Sequence, residues 1–80
     1  MQYRIEFAAG RRAARVELPG RRLELAATRA SGRNWVVSVA DGEGGKPGIV
    51  TVPAATAADA VWRVARAAVR AFAELTGQPV

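Results

Sequence analysis

The chain has 80 residues, half of them apolar, with 12 basic and 7 acidic side chains and a formal net charge of +5. It contains neither cysteine nor histidine. This composition is typical of one globular domain, and it excludes disulfide bonds, ordinary zinc sites and catalysis by a cysteine or histidine system. No apolar run approaches the ~20 residues of a membrane span and no signal peptide is visible. We therefore expect a cytoplasmic protein with no membrane partner.

The first two thirds of the chain consist of short segments in which apolar and polar residues alternate, as in half-buried β-strands. Turn-forming glycine and proline residues separate these segments. The pattern predicts strands over residues 2–8, 13–18, 22–28, 35–39 and 49–52. The last strand is short, so the predicted sheet has four strands at minimum and five at most.

One antiparallel register aligns the first three predicted strands. Turns at residues 10–11 and 19–20 determine it. In this register Val16 lies between Ile5 and Leu23 on the apolar face. Opposite charges meet on the other face, where each pair contributes roughly 0.2–1 kcal/mol. The predicted rows of charge are Arg4–Glu17–Arg22 and Glu6–Arg15–Glu24.

Residues 57–76 form the one segment that is long and periodic enough to predict a helix. Thr56 is a suitable N-cap, and Asp59 completes a capping-box-like pair three residues later. Gly77 favours the left-handed conformation that ends a helix. The predicted buried face comprises Ala58, Val61, Trp62, Ala65, Ala68, Val69, Phe72 and Leu75.

These segments together predict a single α+β domain over residues 1–80, an antiparallel β-meander with one C-terminal helix packed on one face. Trp35 has the inward parity of its strand, and Trp62 lies at the edge of the apolar helix face. We therefore expect the two rings to pack against each other in the core. The outward strand face carries no aromatic residue, which argues against the base-stacking platform of an RRM.

The excess positive charge comes from five arginines that the predicted register leaves without an acidic partner. In a meander the first and third turns lie at the same end of the sheet. Four of these five arginines should therefore cluster there, and Arg21 should lie at the other end. Clustered arginines attract phosphates and carboxylates. They are equally well explained as solubilising turns, because the Ala, Arg, Gly and Val bias is typical of a GC-rich genome. The candidate partner-binding residues are Arg11, Arg12, Arg29, Arg33 and Arg21.

A second group of arginines follows the polar face of the predicted helix and supplies secondary candidates: Arg63, Arg66 and Arg70. This row is either a phosphate-binding stripe or a solvated surface. Asp59 and Glu74 lie on the same face and neutralise it in part, so the solvated surface is the favoured interpretation.

No catalytic, metal or cofactor site is predicted. Residues 42–48 are rich in glycine and include Lys46, but Pro47 stands where a phosphate-binding loop has serine or threonine. Ser31 and Ser38 have no histidine to act as a base. We therefore expect a binding protein rather than an enzyme, and no cofactor.

Residues 35–41 (WVVSVAD), followed by residues 56–60 (TAADA), resemble the second half of HicB-type antitoxins. That family has a strand of the form yvvsvPD, a loop and a helix that begins T-x-x-E-A. Ala40 stands where the family has proline, and two extra strands precede the match. The resemblance implies an antitoxin that covers a small basic RNase.

The overall profile resembles that of anti-CRISPR proteins, which are tiny, single-domain, poor in cysteine and free of catalytic motifs. They share no sequence motif, so the resemblance assigns no residue. It implies a phage or mobile-element inhibitor that sterically blocks a nucleic-acid-handling complex, docked on the acidic protein surface of a CRISPR effector. Direct binding of DNA or RNA is the alternative. The sequence does not determine the oligomeric state, and a monomer is the simplest expectation.

Overall fold

Five strands precede a single helix in the computed structural model, which describes all 80 residues. The strands are β1 (Arg4–Phe7), β2 (Ala13–Leu18), β3 (Arg21–Ser31), β4 (Asn34–Asp41) and β5 (Gly48–Pro53). They form one antiparallel sheet in the order β1-β2-β3-β4-β5, and α1 (Ala57–Thr76) packs on one face of it. The predicted α+β meander with a C-terminal helix is therefore confirmed.

The strand bounds differ from the prediction mainly at the ends. β1 is shorter than predicted, whereas β3, β4 and β5 are longer. In β3 the pairing continues through Ser31, past a register irregularity between Arg29 and Ser31. Strands extend beyond the apolar pattern because pairing depends on backbone hydrogen bonds, which form with a neighbouring strand whatever the side chain.

The predicted register of the first three strands is confirmed, since Ile5 pairs with Val16 and Val16 pairs with Leu23. The sheet therefore has an inner apolar face under the helix and an outer face that carries the charges of β1, β2 and β3.

The side-chain ion pairs on the outer face do not complete the predicted rows. Arg4 binds Glu6 of its own strand, with 3.1 Å between nitrogen and oxygen. Glu24 is bound by both Arg15, at 3.3 Å, and Arg22, at 3.5 Å. The backbone register places these residues side by side, but a long arginine side chain also reaches along its own strand, so register alone does not select the partner.

The core lies between the inner sheet face and α1, with Val16, Leu25 and Val37 buried on the strands. Helical residues that are buried are Ala57, Ala60, Val61, Val64, Ala65, Val69 and Ala73. Most of them are small, which lets the helix backbone approach the sheet closely. No helix of the chain is both long and apolar enough to cross a membrane.

The predicted buried face of α1 is wrong at two positions. Trp62 is 43% exposed and Leu75 is 87% exposed, while Ala60 and Val64 are buried in their place. Apolar residues occur almost all around this alanine-rich helix, so periodicity alone does not determine which side faces the sheet.

Both predicted helix caps are confirmed. The Thr56 hydroxyl accepts a hydrogen bond from the Asp59 backbone N–H at 3.1 Å. Gly77 has φ +67° and its N–H donates to the Glu74 carbonyl at 3.3 Å. The Asp59 carboxylate forms an ion pair with Arg63 of the next turn. The acidic residue of the predicted capping-box-like pair therefore contributes an ion pair on the helix surface.

Candidate functional site

The strand order gathers the first and third turns at one end of the sheet, as predicted. Residues 8–12 join β1 to β2 there, and residues 32–33 join β3 to β4. The helix also begins at this end, because the Ala54 N–H, just before α1, donates to the Arg33 carbonyl at 2.9 Å. We call it the arginine end, after Arg11, Arg12, Arg29 and Arg33. The opposite end, with residues 19–20 and 42–47, is the paired end.

Arg11 occupies the tight turn between β1 and β2, where its N–H donates to the Ala8 carbonyl at 3.0 Å. It is the one non-glycine residue with positive φ, at +58°. This conformation costs an L-residue roughly 1–2 kcal/mol. The turn places the Arg11 guanidinium over the Phe7 ring, 4.8 Å from the ring centroid. A strained backbone and a ring contact therefore hold this charge at a defined position.

Arg12 lies over a second aromatic ring at this end. Its guanidinium is 5.8 Å from the centroid of the Trp35 ring. Trp35 is buried, and its indole N–H donates to the Ala54 carbonyl at 3.2 Å. Because Ala54 lies between β5 and α1, Trp35 joins the arginine end of the sheet to the start of the helix.

Arg29 and Arg33 lie on the hairpin formed by β3 and β4. The Arg29 guanidinium donates to the Gly32 carbonyl at 3.0 Å, which holds it against its own turn. Neither arginine has a carboxylate partner, and the same holds for Arg11 and Arg12. Four of the five candidates thus lie together at one end with their charges not neutralised.

The prediction that Trp62 packs on Trp35 is wrong. Trp62 stacks instead on Phe7, with 6.5 Å between centroids and 25° between planes. The Arg66 guanidinium lies 5.5 Å from the centroid of the Trp62 ring. The result is a half-exposed aromatic–arginine row, in the order Arg11, Phe7, Trp62 and Arg66. The helix is rotated about its axis relative to the prediction, since Ala60 and Val64 are buried in place of Trp62 and Leu75. This rotation moves Trp62 from the core to the row.

Sequence reasoning missed the aromatic–arginine row, although part of the signal is present. Phe7 ends the first strand on its inward parity, next to the turn that carries Arg11. Trp62 follows the helix N-cap by less than two turns. Since α1 begins at the arginine end, this fold places Phe7 and Trp62 near each other. Their rings come into contact only because of the rotation of α1.

The secondary candidates on α1 do not form a uniform stripe. Arg63 is bound to Asp59 at 3.4 Å, as the i,i+4 spacing favours. Arg66 belongs to the aromatic–arginine row, and Arg70 has no ion pair. Only one of the three is therefore neutralised.

The prediction that Arg21 lacks an acidic partner is wrong. β4 extends to Asp41, which pairs with Leu23 of β3. This pairing brings the Asp41 carboxylate to within 3.3 Å of the Arg21 guanidinium. The Asp41 carboxylate also accepts the Glu43 backbone N–H at 3.0 Å, which orders the start of the following loop. Arg21 therefore lies at the paired end, apart from the other four candidates, and Asp41 balances its charge.

A scan against protein-family models finds no match to this chain, and searches of curated proteins and of solved structures find no similar protein. The resemblances to anti-CRISPR proteins and to HicB-type antitoxins stay predictions.

Proposed function

We propose that this protein is a non-enzymatic inhibitor of anti-CRISPR type, which docks its arginine end on an acidic protein surface and sterically blocks a nucleic-acid-handling complex. The observation that carries the proposal is that Arg11, Arg12, Arg29 and Arg33 gather at one end without a carboxylate partner. Such a concentration of like charge makes a positive potential that speeds association with an acidic partner and orients it.

The aromatic–arginine row supports a protein partner in particular. Tryptophan and arginine are the residues most enriched at the energetic hot spots of protein interfaces. Trp62 is half exposed and contacts both Phe7 and Arg66. Side chains already held by their neighbours lose less conformational entropy on binding, which favours affinity.

Direct binding of DNA or RNA is the second candidate, and the hairpin of β3 and β4 favours it. Arg29 and Arg33 lie close in sequence at one tip and have no carboxylate partner, so each guanidinium can donate to phosphate oxygens. Binding that neutralises phosphates releases counterions and therefore weakens steeply with salt.

The test combines phage protection with nucleic-acid titration. The protein is expressed in cells that carry an active CRISPR system targeting a phage, over a panel of effector types, and plaques are counted. We expect plaques to return with one effector type, and the double substitution Arg29→Glu/Arg33→Glu to abolish the effect. Arg21→Glu/Arg22→Glu is the matched control, because it makes the same charge change at the paired end and should keep the activity.

The nucleic-acid arm titrates the purified protein into labelled single- and double-stranded DNA and RNA at low and physiological salt. An inhibitor that acts on protein surface should show weak binding that salt abolishes. Tight binding that survives physiological salt, and that weakens by about tenfold or more in Arg29→Glu/Arg33→Glu, would favour the second candidate. If the protein shows neither plaque recovery nor nucleic-acid binding, both candidates are wrong.

A further inference from the structure

The two edges of the sheet are built differently. β1 is four residues long and carries the ion pair of Arg4 and Glu6 on its outer face. A short edge strand with charged side chains is how proteins prevent pairing with another chain. β5 has six residues, Gly48–Pro53, and no charged side chain, and it pairs with β4 without a bulge. The β5 edge therefore lacks these protections.

Backbone groups of two residues face solvent along the β5 edge. The Ala54 N–H donates to the Arg33 carbonyl, which sets the alternation of hydrogen-bonded pairs along the β4–β5 ladder. In an antiparallel ladder, residues that bond to the neighbouring strand alternate with residues that point away. By this alternation Ile49 and Thr51 direct their N–H and C=O groups to the free edge.

A proline lies at each end of this open segment. Pro53 shares the outward parity of Thr51, and Pro47 lies two residues before Ile49. Proline has no N–H, so neither residue presents a donor at the edge. The open ladder is thus limited to one short stretch.

The side chains of this stretch are also uncovered. Ile49 is 68% exposed on the outer face, and Val50 is 40% exposed on the helix face. α1 packs chiefly on β2, β3 and β4, which leaves Ile49 and Val50 of β5 open to solvent, although Val52 packs against the core. Backbone pairing and apolar burial are therefore both available along the same strand.

We propose that β5 pairs with β5 of a second copy of this chain, antiparallel and about a two-fold axis at Val50, to make one continuous sheet. In this register Ile49 of each copy exchanges both backbone hydrogen bonds with Thr51 of the other. The two Val50 side chains face each other on the helix face, in the closely spaced, non-hydrogen-bonded position. The prolines face one another beyond these pairs and end the ladder.

Charge favours the antiparallel arrangement of two identical chains. It places the arginine end of one copy beside the paired end of the other, whereas a parallel arrangement would bring both arginine ends together. Lys46 of the second copy then lies opposite Ala54, next to Arg33, so this contact adds no ion pair. The gain from charge comes from the separation of the two arginine ends.

The dimer goes beyond the proposed function and does not depend on it. It replaces the simplest expectation of a monomer with a two-fold assembly in which the two arginine ends point in opposite directions. Each copy of the assembly can then engage a partner independently.

The chain has no cysteine, so a single cysteine tests both the contact and its register. Val50→Cys should form a disulfide between two copies under mild oxidation, because facing residues at this position have Cα atoms about 4.5 Å apart. Thr51→Cys is the matched control, since the two-fold axis sets its copies about two residues apart along the strands. A non-reducing gel that shows no cross-linked dimer for Val50→Cys, or equal dimer for both variants, would overturn the proposal.

Sedimentation equilibrium of the unmodified protein gives an independent measurement. The expected mass is twice the 8.4 kDa of one chain. Ile49→Lys should weaken dimerisation about tenfold or more by placing a charge at the edge, while Gln2→Lys, at the opposite edge, should leave it unchanged. Far-UV circular dichroism confirms that both variants fold. A wild-type protein that sediments as a monomer at high micromolar concentration contradicts the proposal.

Discussion

The arginines at the two ends of the sheet make different contacts. At the paired end Arg21 binds Asp41, and Arg22 binds Glu24. At the arginine end Arg11 and Arg12 contact aromatic rings instead, and Arg29 donates to a backbone carbonyl. Arg21 is neutralised because β4 extends to Asp41 beside it, and Arg22 because Glu24 lies two residues along its own strand. The comparison teaches that topology, more than composition, determines where the excess charge lies.

The ion pairs do not make the paired end substantially more stable. Their side chains are exposed or half-exposed, and such pairs contribute about 0–1 kcal/mol each. The arginine end is anchored by a buried residue instead, because Trp35 joins the sheet to the start of α1 through the Ala54 carbonyl. The two ends therefore differ in which of their charges are left unpaired and available to a partner.

Substitution of the two tryptophans at the arginine end should give the largest difference in the free energy of unfolding. Trp35→Ala should lower the free energy of unfolding by about 3–5 kcal/mol, because it empties a buried site and leaves the Ala54 carbonyl without its donor. Trp62→Ala should cost about 1 kcal/mol, since its ring is 43% exposed and mainly stacks on Phe7. Urea unfolding measures both, and equal losses would show that Trp62 belongs to the core after all.

Charge reversal at the two ends should change stability in opposite directions. Arg21→Glu places a carboxylate beside Asp41 and should lower the free energy of unfolding by about 1 kcal/mol. Arg33→Glu removes one of several like charges and should raise it by about 0.3 kcal/mol. Thermal unfolding at low salt makes the comparison, and 0.5 M salt, which screens surface charge, should reduce both changes. The same sign at both ends would contradict the assignment of charges.

Arg11 offers a small effect on stability and the sharpest separation of fold from function. Arg11→Gly relieves the left-handed backbone at φ +58° but loses the contact with Phe7, so we expect a gain of about 0.5 kcal/mol in the free energy of unfolding. Inhibition or binding should weaken in the same variant. Arg12→Gly is the control for stability. The Arg12 backbone does not have positive φ, so glycine at this position should lower the free energy of unfolding.

Local patterns were sufficient to predict most of the fold. Alternation placed the strands, and the match of Val16 with Ile5 and Leu23 set the register of the first three. Thr56 and Gly77 marked the ends of the helix. These features depend on neighbours in sequence or across one tight turn, so the information for them lies within a few residues.

The candidate site was predictable only in part. The meander alone places Arg11, Arg12, Arg29 and Arg33 at one end, because alternate turns of such a sheet share an end. The sequence did not predict that Arg21 is bound by Asp41, since this pair depends on how far β4 extends.

By itself, the sequence determined the strand pattern, the helix caps and the positive charge of this protein, because each follows from local chemistry or from composition. Tertiary structure alone decided the rotation of α1, and with it the exposure of Trp62 and the aromatic–arginine row. An alanine-rich helix has several sides that can face a sheet. Which side does so depends on close packing against the whole sheet, a condition that no short stretch of sequence contains.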